Sequence, residues 1–229
     1  MTLPFESKET CAVCGAVSEQ TQLLSTSVFG ASDLDGRPPE MLRSTMEWWV
    51  QRCPRCGYCA PSIAEASAEA GVVVRSEAYR RRLADPLLPD LARSFVCSAT
   101  IAEADDGRGS RAVLDALLRA AWSCDDSGGA DAAGRCRLDA TFALESVREA
   151  GGSYIDDDSG GDDALLADLY RRVGRFEKAA EAARAGLQRA DSAFCRELLK
   201  LQLRLVAERD ADAHTGEEVD ADDGDPEAV

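Results

Sequence analysis

Residues 11–15 read CAVCG and residues 53–60 read CPRCGYCA, and the reading of these two stretches decides how the first quarter of the chain folds. Each opens on a Cys-x-x-Cys-Gly turn. Two intervening residues let both sulfurs reach one ion from a tight turn. The glycine that follows tolerates the backbone conformation that brings amides up to the thiolates. Together the turns supply Cys11, Cys14, Cys53 and Cys56, the four-thiolate set that zinc prefers in closed structural sites. Four unconnected core cysteines would not share both the spacing and the trailing glycine.

Working outward, the segment around the knuckles is poor in apolar residues. A module of this size without a substantial core is expected to need a metal to hold its fold. Thr21 to Phe29 (TQLLSTSVF) and Thr45 to Arg52 (TMEWWVQR) alternate as strands do. On that reading Trp48 and Trp49 point to opposite faces. Between the strands lies GASDLDGRPPE, residues 30–40, rich in turn formers. Its Asp33, Asp35, Arg37, Pro38 and Pro39 form a compact polar loop whose Arg–Asp contacts are expected to brace the ribbon. Cys59, a fifth thiol, is expected to be a small buried hydrophobe rather than a ligand.

From residue 63 the composition changes to Ala, Leu and Arg with helical spacing. Leu88, Leu91, Phe95, Ala99 and Ala102 share one face; Val113, Leu114, Leu117, Leu118, Ala121 and Trp122 share another. Leu165 to Val173, Phe176 to Leu187 and Phe194 to Leu205 repeat the pattern. Apolar residues at i, i+3/i+4 and i+7 mark helices with one buried stripe. Short Gly- and Asp-rich breaks between them favour antiparallel neighbours. Residues 208–229 carry ten acidic residues and one arginine, a local net charge of −9. With almost no large apolar side chain, this stretch reads as a disordered acidic tail. The expected organisation is therefore a zinc ribbon over 1–62, a helical domain over 63–207 and the tail over 208–229. The fold class is α+β, mostly α: a small β ribbon followed by an array of helical hairpins.

Charge and composition exclude several functions. The net charge of −16 argues against nucleic acid, which needs a basic surface to displace counterions. No apolar run approaches the roughly 18 residues of a membrane span, and MTLPFESKET lacks the basic start and apolar core of a secretory leader. A cytoplasmic location is expected. Nine cysteines, five of them in the knuckles, fit a metal site plus buried thiols in a reducing compartment better than a disulfide framework. His214 is the sole histidine; in a disordered tail it cannot serve a Ser-His-Asp or Cys-His mechanism. The acidic pairs Asp105–Asp106, Asp125–Asp126 and Asp162–Asp163, with Asp156 to Asp158, fall in expected loops and read as solvated turns. No phosphate-binding glycine loop is present. No catalytic residue is assigned, and nothing fixes an oligomeric state.

Two resemblances follow from these residues. With its CxxCG knuckle at Cys11 and its CPRCGYCA knuckle at Cys53, the region Cys11 to Ala60 resembles a bacterial family of no assigned activity, catalogued as domain of unknown function 2225. Cys59 stands where that family's alanine is expected. The resemblance implies a zinc ribbon fused to helices, and no reaction. The stretch DALLADLYRRVGRFEKAAEAARAGLQRA, residues 163–190, resembles a tetratricopeptide repeat, with Leu166, Ala167, Tyr170, Gly174, Phe176, Ala179 and Leu187 at its packing positions. Ala183 replaces the usual aromatic, and Asp191 stands where a proline closes the repeat. Gly107 to Ala112 echoes Gly174 to Ala179 at an offset of 67 residues, close to two repeats of about 34. Together they imply a zinc-binding interaction scaffold that engages a protein or peptide partner through its helical surface. The alternative is chemically active metal. Rubredoxin-like iron carriers use the same two knuckles, and Trp48, Trp49 and Tyr58 could surround such a centre; a metal-dependent enzyme is the other form of this alternative.

Overall fold

A computed structural model describes residues 1–219. It is α+β and mostly helical, and its chain divides into two compact units. The first comprises Met1–Phe29 and Arg37–Gly152; the second comprises Gly30–Gly36 and the chain from Ser153 onward. This division does not follow the expected boundary at 62/63, because the ribbon and the first five helices share one core. No helix among the described residues is long and apolar enough to cross a membrane.

The first unit starts with strands β1 (Leu3–Thr10) and β2 (Val17–Ser25), an antiparallel pair whose register closes at Thr10 opposite Val17. The turn between them is the first knuckle, held by the Cys11 N–H donating to the Ala16 carbonyl at 2.9 Å. Strands β3 (Gln51–Arg52) and β4 (Cys59–Ala60) repeat the device with the second knuckle as their turn, the Cys53 N–H donating to the Tyr58 carbonyl at 2.8 Å. A bond from the Ala12 N–H to the Ile63 carbonyl ties the two hairpins together.

Five helices follow: α1 (Ala70–Arg75), α2 (Glu77–Leu83), α3 (Asp90–Asp106), α4 (Arg111–Asp126) and α5 (Ala130–Glu149). Ser76 and Ser110 cap α2 and α4 by accepting from the third amide of each helix. Phe95 of α3, Leu114 and Leu118 of α4, and Leu144 of α5 are among the largest fully buried side chains. The helical stripes expected on α3 and α4 are therefore the core. Helix α5 has no wide aliphatic stripe: its buried face is Ala133, Cys136, Arg137, Ala140, Thr141 and Leu144.

Two expected strands need correction. Thr21 to Phe29 overlaps β2, which starts earlier at Val17 and ends at Ser25. Thr45 to Arg52 is not a strand over most of its length: Arg43–Trp48 is a 3₁₀ turn, and only Gln51 and Arg52 pair. The Thr45 hydroxyl donates to the Leu42 carbonyl at 2.7 Å and accepts from the Trp49 indole N–H at 2.9 Å. Such local side-chain bonding competes with a ladder. The two tryptophans therefore do not alternate across a sheet.

In the second unit α6 (Gly161–Arg172), α7 (Phe176–Leu187) and α8 (Ala193–Glu208) pack around Ala164, Ala167, Ala183, Cys195 and Leu199. The small residues permit close approach: a Cβ on Gly186 would lie 2.8 Å from both the Asp163 Cβ and the Leu199 side chain. The acidic segment expected to be disordered from residue 208 is built into this unit as far as Val219. Arg171, fully buried, donates to the Asp210 and Asp212 carbonyls at 3.0 and 2.8 Å. Leu34 donates its N–H to the His214 carbonyl, Asp33 bridges Thr215, and Val219 packs with Leu34, Leu201 and Leu205. A buried guanidinium that needs carbonyl partners, which composition does not reveal, secures the chain here. Residues 220–229 of the expected tail lie outside the described residues.

Candidate metal centre

The two knuckle hairpins bring all four predicted sulfurs to one point. Cys11 Sγ lies 3.7 Å from Cys56 Sγ, and Cys14 Sγ lies 3.6 Å from Cys53 Sγ. All four sulfurs lie within 4.8 Å of one another. These contacts are far longer than a disulfide bond of about 2.05 Å. They fit a shared ion: tetrahedral zinc–sulfur bonds of about 2.3 Å place sulfurs about 3.8 Å apart. The cluster can therefore hold a metal ion. Cys11 and Cys53 are buried, while Cys14 and Cys56 are partly exposed.

The backbone supports the charge that four thiolates carry. Burial pushes the Cys53 thiol up, but the N–H groups of Cys56 and Arg55, with the Cys56 and Cys14 thiols, outweigh it and bring the thiol down to about 7. Around Cys11, burial wins over the N–H groups of Cys14 and Val13 and holds the thiol above its ordinary value. Cys56 is likewise raised, by burial against the opposing Tyr58 N–H. Without an ion the Cys53 thiol ionises readily while Cys11 and Cys56 resist. A bound cation removes that conflict, and binding it releases protons.

Both trailing glycines adopt the left-handed conformation, Gly15 at φ 70° and Gly57 at φ 76°. At Gly57 there is a second requirement, because a Cβ would lie 2.4 Å from the Leu83 side chain at the end of α2. The second knuckle is thus pressed against a helix. Tyr79 of α2, fully buried, completes the joint: its hydroxyl donates to the Gly57 carbonyl at 2.9 Å and accepts from the Cys59 N–H at 3.1 Å. Tyr79 escaped sequence reading because α2 is too short to show a stripe. Its neighbour Cys59 lies outside the sulfur cluster, buried, with its thiol donating to the Gly57 carbonyl at 3.3 Å.

Other expected features sit elsewhere. The loop Asp33–Pro39 makes Arg–Asp contacts to helices. Asp33 and Leu34 belong to the second unit, where Asp35 is buried within reach of Arg172; Arg37 ion-pairs with Asp126 at the end of α4. Asp105, Asp106, Asp156 and Asp157 are exposed, whereas Asp125, Asp158, Asp162 and Asp163 are held by partners rather than solvated. Asp125 ion-pairs with Arg137, and Asp163 with Arg189. Asp162 accepts from the Tyr154 and Ile155 amides. Asp158 accepts from the Gly160, Asp191 and Ser192 amides. His214 is held between Asp210 at 3.2 Å and Glu218 at 2.7 Å. Compared with known proteins, the chain matches no family model, no curated protein and no solved structure.

Proposed function

We propose that this is a non-catalytic zinc-binding protein whose metal is structural and whose helical hairpins form a scaffold for a protein or peptide partner. One observation carries the reading. The four sulfurs come from the turns of two hairpins, and their mutual spacing suits a complete tetrahedral shell, which keeps no position for substrate. When bound, zinc would cross-link the two turns and supply folding free energy. A reducing cytoplasm would keep the thiols available for it. The paired knuckles also support kinship with the domain of unknown function 2225.

The scaffold reading rests on helical hairpins of repeat type. Gly107 ends α3 at φ 81° and Gly174 follows α6 at φ 71°, so both glycines of the echoed sequence pair take a positive φ just after a helix. Between α7 and α8 lies a groove of about 410 Å³ lined by Phe176, Ala180, Glu181, Arg184 and Val206.

Elemental analysis of the purified full chain tests the metal. One zinc per chain in colourless protein is the expected result; a red protein containing one iron would overturn it in favour of an electron carrier. The scaffold is tested by affinity capture with wild type and Ala180→Arg. A reproducible partner lost with the variant supports it, and capture unaffected by the variant contradicts it.

A further inference from the structure

The first unit holds a groove of about 510 Å³ bounded by β4, α3 and α4, and none of the four cluster cysteines lines it. That is within the range of ligand pockets, roughly 300–1,000 Å³. Its apolar lining is Trp49, Tyr58, Phe95 and Ile101. The polar tips of the two hydrogen-bonding aromatics are already engaged, the Trp49 indole with Thr45 and the Tyr58 hydroxyl with the Glu65 carbonyl at 2.8 Å. Neither tip is therefore left as a donor to the groove; Tyr58 is buried in its wall and Trp49 is partly exposed.

The other side of the groove is acidic. Glu65 follows β4, Asp105 and Asp106 close α3, and Asp115 lies on α4; Arg119 is the only basic residue lining the cavity. Its guanidinium is occupied within the protein, 3.7 Å from Asp115 and 5.4 Å from the Trp49 ring centre. The placement of Asp105 and Asp106 is locally unfavourable. They stand in the last turn of a 17-residue helix that has no basic residue there, where the macrodipole already concentrates negative charge. A cation in the groove would relieve this crowding of negative charge.

A ligand suited to this arrangement has an apolar stem for the rings and a positive head for the carboxylates. Lysine and arginine side chains have that form, stem buried and head at the rim, and a cation near tryptophan or tyrosine gains further attraction. Because the carboxylates come from three separate elements, the groove suits more than one cation along an extended chain. We propose that this groove is a docking site for a lysine- or arginine-bearing peptide segment of a partner protein. All of its residues belong to the first unit, whereas α7 and α8 belong to the second.

The test is calorimetric titration of the zinc-loaded full chain with the acetylated, amidated pentapeptide Lys-Leu-Lys-Leu-Lys, its Glu-for-Lys counterpart, and spermidine. Two variants keep the result independent of any one substitution: Asp105→Asn/Asp106→Asn, and Ala112→Arg, which places a cation in the groove from an exposed position. The lysine peptide is expected to bind well below about 1 mM, more tightly than spermidine, and the glutamate peptide not at all. Binding should weaken about ten-fold in each variant, and several-fold between about 20 and about 200 mM salt. The proposal is overturned by no binding at about 1 mM, by equal binding of the two peptides, by affinities the variants leave unchanged, or by spermidine matching the peptide, which would make this a polyamine site.

Discussion

Replacing Tyr79 with phenylalanine removes one oxygen atom and tests how the helices depend on the knuckle. That oxygen is fully buried and serves two backbone groups, accepting from the Cys59 N–H and donating to the Gly57 carbonyl. Each buried peptide group left without a partner costs about 1–3 kcal/mol. The Gly57 carbonyl keeps a weak bond from the Cys59 thiol at 3.3 Å, which places its loss at the low end. We expect a net loss of about 2–4 kcal/mol, which for a unit of this size lowers Tm by about 5–12 °C. The same energy should appear in metal affinity. If the knuckle takes its shape only with the ion bound, and Tyr79 recognises that shape, zinc should bind about thirty-fold more weakly or worse. Urea unfolding of the zinc-loaded protein and competition with a chromophoric chelator measure the two quantities. A stability change under about 0.5 kcal/mol with unchanged zinc affinity would refute the coupling.

Three further outcomes follow from the same contacts. Cys53→Ser should abolish tight zinc binding and unfold the first unit while the helical signal of α6–α8 persists, because the ribbon shares a core with α1–α5; retention of all helical signal by circular dichroism would instead support a boundary at 62/63. Arg171→Ala should destabilise the second unit by about 3–5 kcal/mol, since it leaves the buried Asp168 carboxylate without its cation, and should expose residues 208–219 to protease; a loss below about 1 kcal/mol would contradict the anchoring role. Asp158 is pushed up by partial burial, but the Gly160, Ser192 and Asp191 donors prevail and hold it far below the ordinary carboxylate range. Its stabilisation is therefore present above the unfolded value near 3.9 and lost as pH falls below it, so Asp158→Asn should weaken the second unit at pH 7 and flatten its loss of stability in acid, and equal urea midpoints for variant and wild type at pH 7 would contradict this.

The parts legible in the sequence are those whose chemistry is local. A Cys-x-x-Cys-Gly turn carries its ligands, spacing and glycine within five residues, so the two knuckles and their convergence could be read directly. Helices α3, α4, α6, α7 and α8 advertise themselves by apolar stripes at helical spacing. What stayed hidden depends on partners distant in the chain. The inward face of α5 is mostly alanine, with Cys136, Arg137, Thr141, Leu144 and Val147, and Arg137 sits in the core paired with Asp125. Strand β1 is a polar sequence paired because the first knuckle folds it onto β2. Thr45 bonds its own turn and withdraws the tryptophan segment from the sheet. The acidic 208–219 segment looks like a solvated tail until Arg171 is placed beneath it. Asp125, Asp158, Asp162 and Asp163 look solvent-facing until Arg137, Arg189 and the amides of residues 154, 155, 160, 191 and 192 meet them.

A closed structural site requires four sulfurs sharing one ion, and X-ray absorption at the metal edge of the purified full chain measures that directly. The prediction is zinc with four sulfur neighbours at about 2.3 Å and no lighter ligand. A shell containing nitrogen or oxygen, or fewer than four sulfurs, would contradict a closed structural site and place an open position on the metal.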